Sequence, residues 1–225
     1  MLVQDWMTSI VATIEDDDSI MKASKLMKQN RIQHLPVLKE GRLVGIISDR
    51  DLKEAQPSKA TSLDIHELYY LMEEIKIKSI RSSQLITIAP EATLEKAAAL
   101  MQKYNISALP VVDAKGELQG IITKGDVFRA FVDISGIHHS ELQMGFEVDD
   151  RPGSIGEVAN IVRTHGGRIV GIFTEYGRAP AGFRHVYIRV KGVKDVDEED
   201  MVKDFMVEEI KRKCKLLYRC HDRVD

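Results

Sequence analysis

The sequence predicts an α+β chain in two parts, a duplicated module of helices and strands followed by a single βαββαβ unit. Duplication is the first observation. Thr13-Ile14 returns as Thr87-Ile88, Leu26-Met27 as Leu100-Met101 and Leu35-Pro36-Val37 as Leu109-Pro110-Val111, each 74 residues on. The second is a shared ending, in which Gly45-Ile46-Ile47-Ser48-Asp49-Arg50-Asp51 is matched by Gly120-Ile121-Ile122-Thr123-Lys124-Gly125-Asp126, now 75 residues on. The extra residue falls where Lys39-Glu40-Gly41 becomes Asp113-Ala114-Lys115-Gly116, an exposed turn that tolerates an insertion. The third is a change of pattern at Leu142-Gln143-Met144-Gly145-Phe146-Glu147-Val148, whose alternation suits a half-buried strand.

Each copy reads as a strand, a helix, a hairpin of two strands and a second helix. Ser19 and Thr93 are preferred N-cap residues, and the helices they open carry Ile20, Ala23 and Met27, or Leu94, Ala97 and Met101, on one face. Leu35–Leu38 and Leu43–Ile47 are short apolar runs about a Gly-containing turn, hence a hairpin. Proline has no N–H for a ladder, so Pro36 and Pro110 belong at a strand's start or edge. The chain breaks at Pro57, and an amphipathic helix with Leu68, Leu71, Met72 and Ile75 on one stripe leads to the second copy near Lys76. In the last unit, Asp149-Asp150-Arg151-Pro152-Gly153-Ser154 is turn chemistry running into a helix with Ile155, Val158, Ala159 and Val162 on one face. Gly166-Gly167 stops that helix. Strands over 168–176 and 183–190, a charged helix over about 198–213 and a strand over 215–220 complete the split-βαβ, ferredoxin-like order. The expected boundaries are 1–60 and 76–134 for the copies, 61–75 for a linker helix and 140–222 for the last unit.

Composition narrows the function classes. With 44% hydrophobic and 30% charged residues and a net charge of −3, the chain is globular and has no general attraction for nucleic acid or anionic lipid. No apolar run is long enough to cross a bilayer, and Met-Leu-Val-Gln-Asp-Trp lacks the features of a signal peptide. Cys214 and Cys220 make no disulfide framework, and a cytoplasmic home is expected. On one strand they would lie roughly 20 Å apart, too far for shared metal ligation, so both are read as idle thiols. Lys211-Arg212-Lys213 is read as a solvated helix end rather than a nucleic-acid patch, His138-His139 as linker and Trp6 as a core anchor. No nucleophile–base pair, Walker-type loop or His-Glu-x-x-His is present.

The repeated ending carries the chemistry. Ser48 and Thr123 suit N-caps, and a helix N-terminus with its free N–H groups favours an anion such as phosphate. Asp51 and Asp126, in the first turn, present acceptor-only carboxylates that suit the two hydroxyls of a ribose. The plainer alternative is a carboxylate that stabilises only its own helix.

Two copies of an apolar-Pro-Val hairpin followed by Gly-apolar-apolar-Ser/Thr-x-x-Asp resemble a tandem pair of CBS domains over residues 1–134. The resemblance implies one pseudo-symmetric module with two clefts for adenosine ligands (AMP, ADP, ATP or S-adenosylmethionine), regulatory in role, with no catalysis and no required cofactor. It places phosphate or ribose at Ser48 and Thr123 and the ribose diol at Asp51 and Asp126. Ile32-Gln33-His34 and Ile106-Ser107-Ala108 would wall the adenine, largely through backbone, with the His34 ring at the surface. Lys124, where the first copy has Asp49, implies a second cleft more receptive to di- or triphosphate. The Asp150-Arg151-Pro152-Gly153 turn resembles an ACT domain over residues 140–222. That resemblance implies a small ligand, such as an amino acid, held by Asp149, Asp150, Arg151, Pro152, Gly153 and Ser154, or a role in assembly. CBS pair plus ACT domain is similar to the AcuB-type acetoin-utilisation architecture. Both modules imply a homodimer and an unidentified target protein; an adaptor with empty clefts is the alternative.

Overall fold

The computed structural model describes residues 1–225 apart from 57–63, 83, 141, 193–205 and 223–225, and apart from the side chains of 65–68. The chain divides into two compact units, Met1–Phe128 and Arg129–Asp225.

The first unit contains both copies apart from the end of the last helix. In the first, β1 (Ile14–Glu15) is followed by α1 (Ile20–Asn30), β2 (His34–Lys39), β3 (Arg42–Ser48) and α2 (Asp49–Ala55), and α3 (Ile65–Glu74) leads out of it. In the second, α4 (Leu94–Lys103), β4 (Ala108–Val112), β5 (Leu118–Thr123) and α5 (Lys124–Ser135) repeat the order. Ser19 and Thr93 cap α1 and α4 through their side chains, and the expected triads Ile20, Ala23, Met27 and Leu94, Ala97, Met101 are buried. Both hairpins carry a register shift at the same place, Val37/Leu38 and Val111/Val112.

The first strand of each copy is much shorter than its sequence pattern allowed. β1 has two residues, and its counterpart in the second copy is a single bridge between Ile88 and Val111. Pro36 and Pro110 are each the third residue of a strand, and Pro110 lies on an edge strand, as expected. Pro36 even lies in the middle strand of the β1-β2-β3 sheet, but β1 pairs only with Val37 and Leu38, so the missing N–H faces no ladder. On α3, Met72 is buried and Ile75 packs beside it, whereas Leu71 is exposed and does not belong to the buried stripe. Pro57 and the Leu68 side chain fall outside the described residues. Trp6 is only half-buried; the N-terminal anchor is Val3, fully buried in a short 3-10 turn.

The two copies exchange the segments that precede them. Val3 donates its N–H to Ala92 O at 2.8 Å, and Thr8 and Ile121 exchange two backbone hydrogen bonds of 3.0 Å, so residues 2–8 complete the second copy. Reciprocally, Ile77 donates to Asp18 O at 2.9 Å, Ser82 donates to Ile46 O at 3.2 Å, and the Ile77 side chain is part of the first copy's core. Residues 77–82, which open the second copy in sequence, thus pack on the first. Arg81 fixes that crossing, donating from Nε to buried Asp16 at 2.6 Å and from Nη1 to Val44 O at 2.7 Å. Gly45 and Gly120 make room for it. A Cβ at Gly45 would stand 2.8 Å from Arg81 Cδ and 3.0 Å from Ser82 O; at Gly120 it would stand 2.6 Å from Met7 Sδ and 2.8 Å from Thr8 O.

The second unit has the expected ferredoxin-like topology. After β6 (Leu142–Asp149) come α6 (Ser154–Thr164), β7 (Arg168–Glu175), β8 (Phe183–Lys191) and β9 (Lys215–His221). The sheet order is β7-β8-β6-β9 with every neighbouring pair antiparallel. Alternate residues Leu142, Met144, Phe146 and Val148 pack with Val186, Ile188 and Val190 against α6 and against Met206, Val207 and Ile210. The buried stripe of α6 runs through Val158, Ile161 and Val162; Ile161 takes the place expected of Ala159. Helix over 206–211 accounts for the described part of the charged helix expected at 198–213.

Candidate functional site

Two cavities of the first unit contain the repeated endings. One, of about 590 Å³, is lined by Ser48, Asp49, Arg50 and Asp51, by Ser82, Gln84 and Ile86, and by Gln33, His34, Asn105–Ala108 and Lys124. The other, of about 710 Å³, is lined by Thr123–Asp126, by Thr8 and Ile10–Ala12, and by Asn30–His34, Ser107 and Ile121. Each cleft therefore has three walls. A strand-to-helix junction supplies the first, and the segment crossing from the other copy supplies the second. The third is a septum made by residues 31–34 and 105–108, where the two copies meet.

Every candidate residue of the CBS resemblance reaches a cleft. Ser48 and Asp51 face the first, with Ile106 and Ala108; Thr123, Asp126 and Ile32 face the second. Gln33, His34, Ser107 and Lys124 line both. Lys124, expected in the second cleft alone, is thus shared, because Lys124 N donates to Ser107 O at 2.9 Å and sets the start of α5 on the septum. Asp49 N does the same to Gln33 O at 2.9 Å.

At the two junctions the acid and hydroxyl are joined identically. Ser48 N and Oγ both donate to Asp51 Oδ2 at 2.7 Å; Thr123 N and Oγ1 donate to Asp126 Oδ2 at 2.8 and 2.7 Å. Asp51 N and Asp126 N in turn point at those hydroxyls at 3.3 Å. This reciprocal cap fixes the carboxylate's orientation. The contacts use one oxygen, Oδ2, in each copy.

His34 is not a backbone-only wall with its ring in water. Its Nε2 lies 2.7 Å from Ser107 Oγ, a bond between the copies in the middle of the septum. Burial pushes the imidazole below its ordinary value, and the nearby Asp51 carboxylate pulls it part of the way back.

Four pairs of wall residues escaped the sequence reading, though the repeat would have found them. Thr8, Ile10, Ala12 and Arg31 of the second cleft correspond, 74 residues on, to Ser82, Gln84, Ile86 and Asn105 of the first. Arg31 and Asn105 both hold left-handed backbone, φ 54° and 52°, at the ends of α1 and α4. Ile10 is 95% exposed, an apolar side chain left open at the cleft wall.

In the second unit, Asp149–Gly153 form an exposed turn, and Ser154 is buried. Ser154 Oγ donates to Arg151 O at 3.1 Å, Arg184 Nη2 donates to Ser154 Oγ at 3.0 Å, and Arg151 pairs with Glu157 at 2.8 Å. Arg184, unmarked in the sequence, thus braces the turn. Burial pushes the Cys214 thiol up to about 11, in keeping with an idle thiol. Lys211, Arg212 and Lys213 are exposed, and Lys211 pairs with Glu208. Among the described residues no helix is long and apolar enough to cross a membrane.

The CBS domain family matches residues 3–58 and 77–133, together about half of the chain and both copies of the repeat. The chain belongs to the CBS-domain family. An uncharacterized protein of Methanocaldococcus jannaschii is 34% identical over 155 residues, covering 59% of this chain and 92% of the relative. A CBS domain-containing protein of Bacillus subtilis is 34% identical over 125 residues, covering 56% and 81%. Among solved structures, a CBS-pair protein of Arabidopsis thaliana is 29% identical with a TM-score of 0.51, covering 59% of this chain and 95% of that one. The chain also matches enzymes, but spans only 23% of the homoserine O-acetyltransferase of Methanococcoides burtonii, so the match lies in a part of that chain.

Proposed function

We propose that this chain is a regulatory sensor without catalysis of its own, whose CBS pair binds adenosine ligands (AMP, ADP, ATP or S-adenosylmethionine) in its two clefts. The observation that carries the reading is the pair of matched cavities, each walled by a capped Asp and by a segment from the opposite copy. In each, the ribose diol binds the Asp51 or Asp126 carboxylate, whose orientation is already set. The base lies against the crossing segment and septum, with exposed Ile10 offering an apolar face in the second cleft. Charge separates the clefts. The first sets Asp49 and Asp51 against Arg50 and Lys124, whereas the second has Asp126 against Arg31 and Lys124, and so takes the longer phosphate tail.

Because each ligand touches a junction of one copy and a segment of the other, it favours one disposition of the copies. That differential affinity is what a signal requires. The ferredoxin-like unit resembles an ACT domain, and we assign it a small ligand such as an amino acid at Asp149–Ser154, or assembly. The chain works as a homodimer in the cytoplasm on a target protein, and acetoin utilisation is the narrowest form of the reading, supported by the AcuB-like order of modules.

A thermal-shift panel tests it, with AMP, ADP, ATP, S-adenosylmethionine and single amino acids against wild type, Asp51→Ala and Asp126→Ala. A ligand at 100 times its Kd stabilises by about 2.7 kcal/mol, a shift of several degrees for a chain of this size. The expected result is a shift with an adenosine ligand that shrinks in at least one Asp variant. Folded protein with no shift in any well would replace this reading with that of an adaptor whose clefts stay empty.

A further inference from the structure

We propose that His34 selects phosphorylated over unphosphorylated adenosine ligands in both clefts, by taking up a proton when a phosphate binds. The inference rests on the adenosine-ligand reading and goes beyond it by naming one switchable charge that the two clefts share. Three observations meet at this side chain. First, His34 and its partner Ser107 each line both cavities, so a charge or donor placed there is felt on either side of the septum. Second, the duplication does not supply a second imidazole: the position 74 residues on is Ala108, and Ser107 corresponds to Gln33. One ring serves two sites. Third, Nε2 and Ser107 Oγ are 2.7 Å apart, so the ring's protonation state and the hydroxyl's direction are tied together.

The neutral ring has one donor nitrogen and one acceptor, and the protonated ring has two donors. If Nε2 accepts from Ser107 in the neutral state, the hydroxyl proton points at the ring and is withheld from any ligand. On protonation Nε2–H must donate to Ser107 Oγ, and the hydroxyl turns its own proton outward, toward a ligand oxygen. Uptake of one proton thus adds a positive charge to the septum and releases one hydroxyl donor, and both favour a phosphate. The charged groups that line the clefts with His34 are Asp51, Asp49 and Arg50 in the first, Arg31 and Asp126 in the second, and Lys124 in both, and of these Asp51 acts on the ring. Imidazole is the side chain whose ordinary pKa lies in the physiological range, and His34 is the septum group of that kind. Burial lowers its pKa in the ligand-free protein, with Asp51 opposing that effect. A phosphate dianion in either cleft raises its pKa, so proton uptake accompanies binding and phosphate affinity grows as pH falls.

The test follows the His34 ring resonances of the full chain by NMR from pH 5 to 8, assigned with His34→Gln, in the free protein and with saturating AMP or adenosine. Calorimetry with the same ligands shows first that each binds. AMP is expected to move the His34 titration upward by about one pH unit and adenosine to leave it in place. In His34→Gln, which keeps a hydrogen-bonding side chain beside Ser107, the loss of affinity should be several-fold larger for AMP than for adenosine at pH 6, and that difference should shrink toward pH 8. The titration of AMP's own phosphate is common to both proteins and cancels in that comparison. If AMP binds while the His34 titration stays where it was, this inference fails and the adenosine-ligand reading stands. If neither AMP nor adenosine binds, that reading fails and takes this one with it.

Discussion

Ser48 closes a helix and faces a cavity with the same hydroxyl, and substitution separates the two roles. Its Oγ accepts from Asp51 N and donates to Asp51 Oδ2, the reciprocal arrangement of a capping box. Removing an N-cap hydroxyl costs about 1 kcal/mol, which for a chain of this length lowers Tm by roughly 2–4 °C. Ser48→Ala should therefore lower the ligand-free Tm by that amount in scanning calorimetry, and Ser48→Thr, as Thr123 stands in the second copy, should restore it. An unchanged ligand-free Tm in Ser48→Ala would mean that the cap contributes nothing. Both candidate Asp residues were legible from sequence because a recurring motif marks them twice. His34 was legible as a wall but not as a ring with a role, because its partner Ser107 lies 73 residues away and only folding brings the two together.

The crossing segments are the least regular parts of the first unit, and the glycines opposite them tell how tightly they are held. A Cβ at Gly120 meets a backbone carbonyl, Thr8 O, at 2.8 Å, and a carbonyl in a paired segment cannot swing aside. Gly120→Ala should destabilise by about 1–3 kcal/mol through overpacking, read from chemical denaturation. Gly45→Ala should cost less, since both of its nearest neighbours, Arg81 Cδ at 2.8 Å and Ser82 O at 3.0 Å, stand further off than their counterparts at Gly120. Gly125, where a Cβ would meet only Thr123 Oγ1 at 3.5 Å in the first turn of α5, is the control: Ala there should be neutral or stabilising by a few tenths. Equal losses at all three positions would rule out the crossing as the cause. Such segments could not be read from hydrophobic period: 8–12 and 84–86 are neither helix nor paired strand for most of their length, and what Thr8 pairs with is the other copy. The strands of the second unit were readable to within a residue or so because each packs locally on one sheet, as Met144 and Phe146 do.

At the scale of the whole first unit, the exchange of segments decides whether the copies are two folding units or one. Neither copy closes its core alone. The first needs Ile77 from beyond its own helices, and the second needs residues 2–8, with Leu94 N donating to Met1 O at 3.1 Å and Val3 fully buried. A chain lacking residues 1–8 loses the second of these directly and keeps the first. If the copies were independent, hydrogen exchange would quicken only in the second copy, around Leu94 and along β4 and β5. The reciprocal arrangement argues otherwise: a loosened second copy no longer holds residues 82–88 in place, and these are anchored at their other end in the first copy through Ser82 and Arg81. The deletion is therefore expected to lower protection in β2 and β3 as well as in β4 and β5, with one cooperative transition for the unit. Protection kept in β2 and β3 while β4 and β5 exchange freely would show two separable folding units. A ligand spanning a junction of one copy and a segment of the other would then have to bring them together, at a cost in affinity that a cooperative unit does not incur.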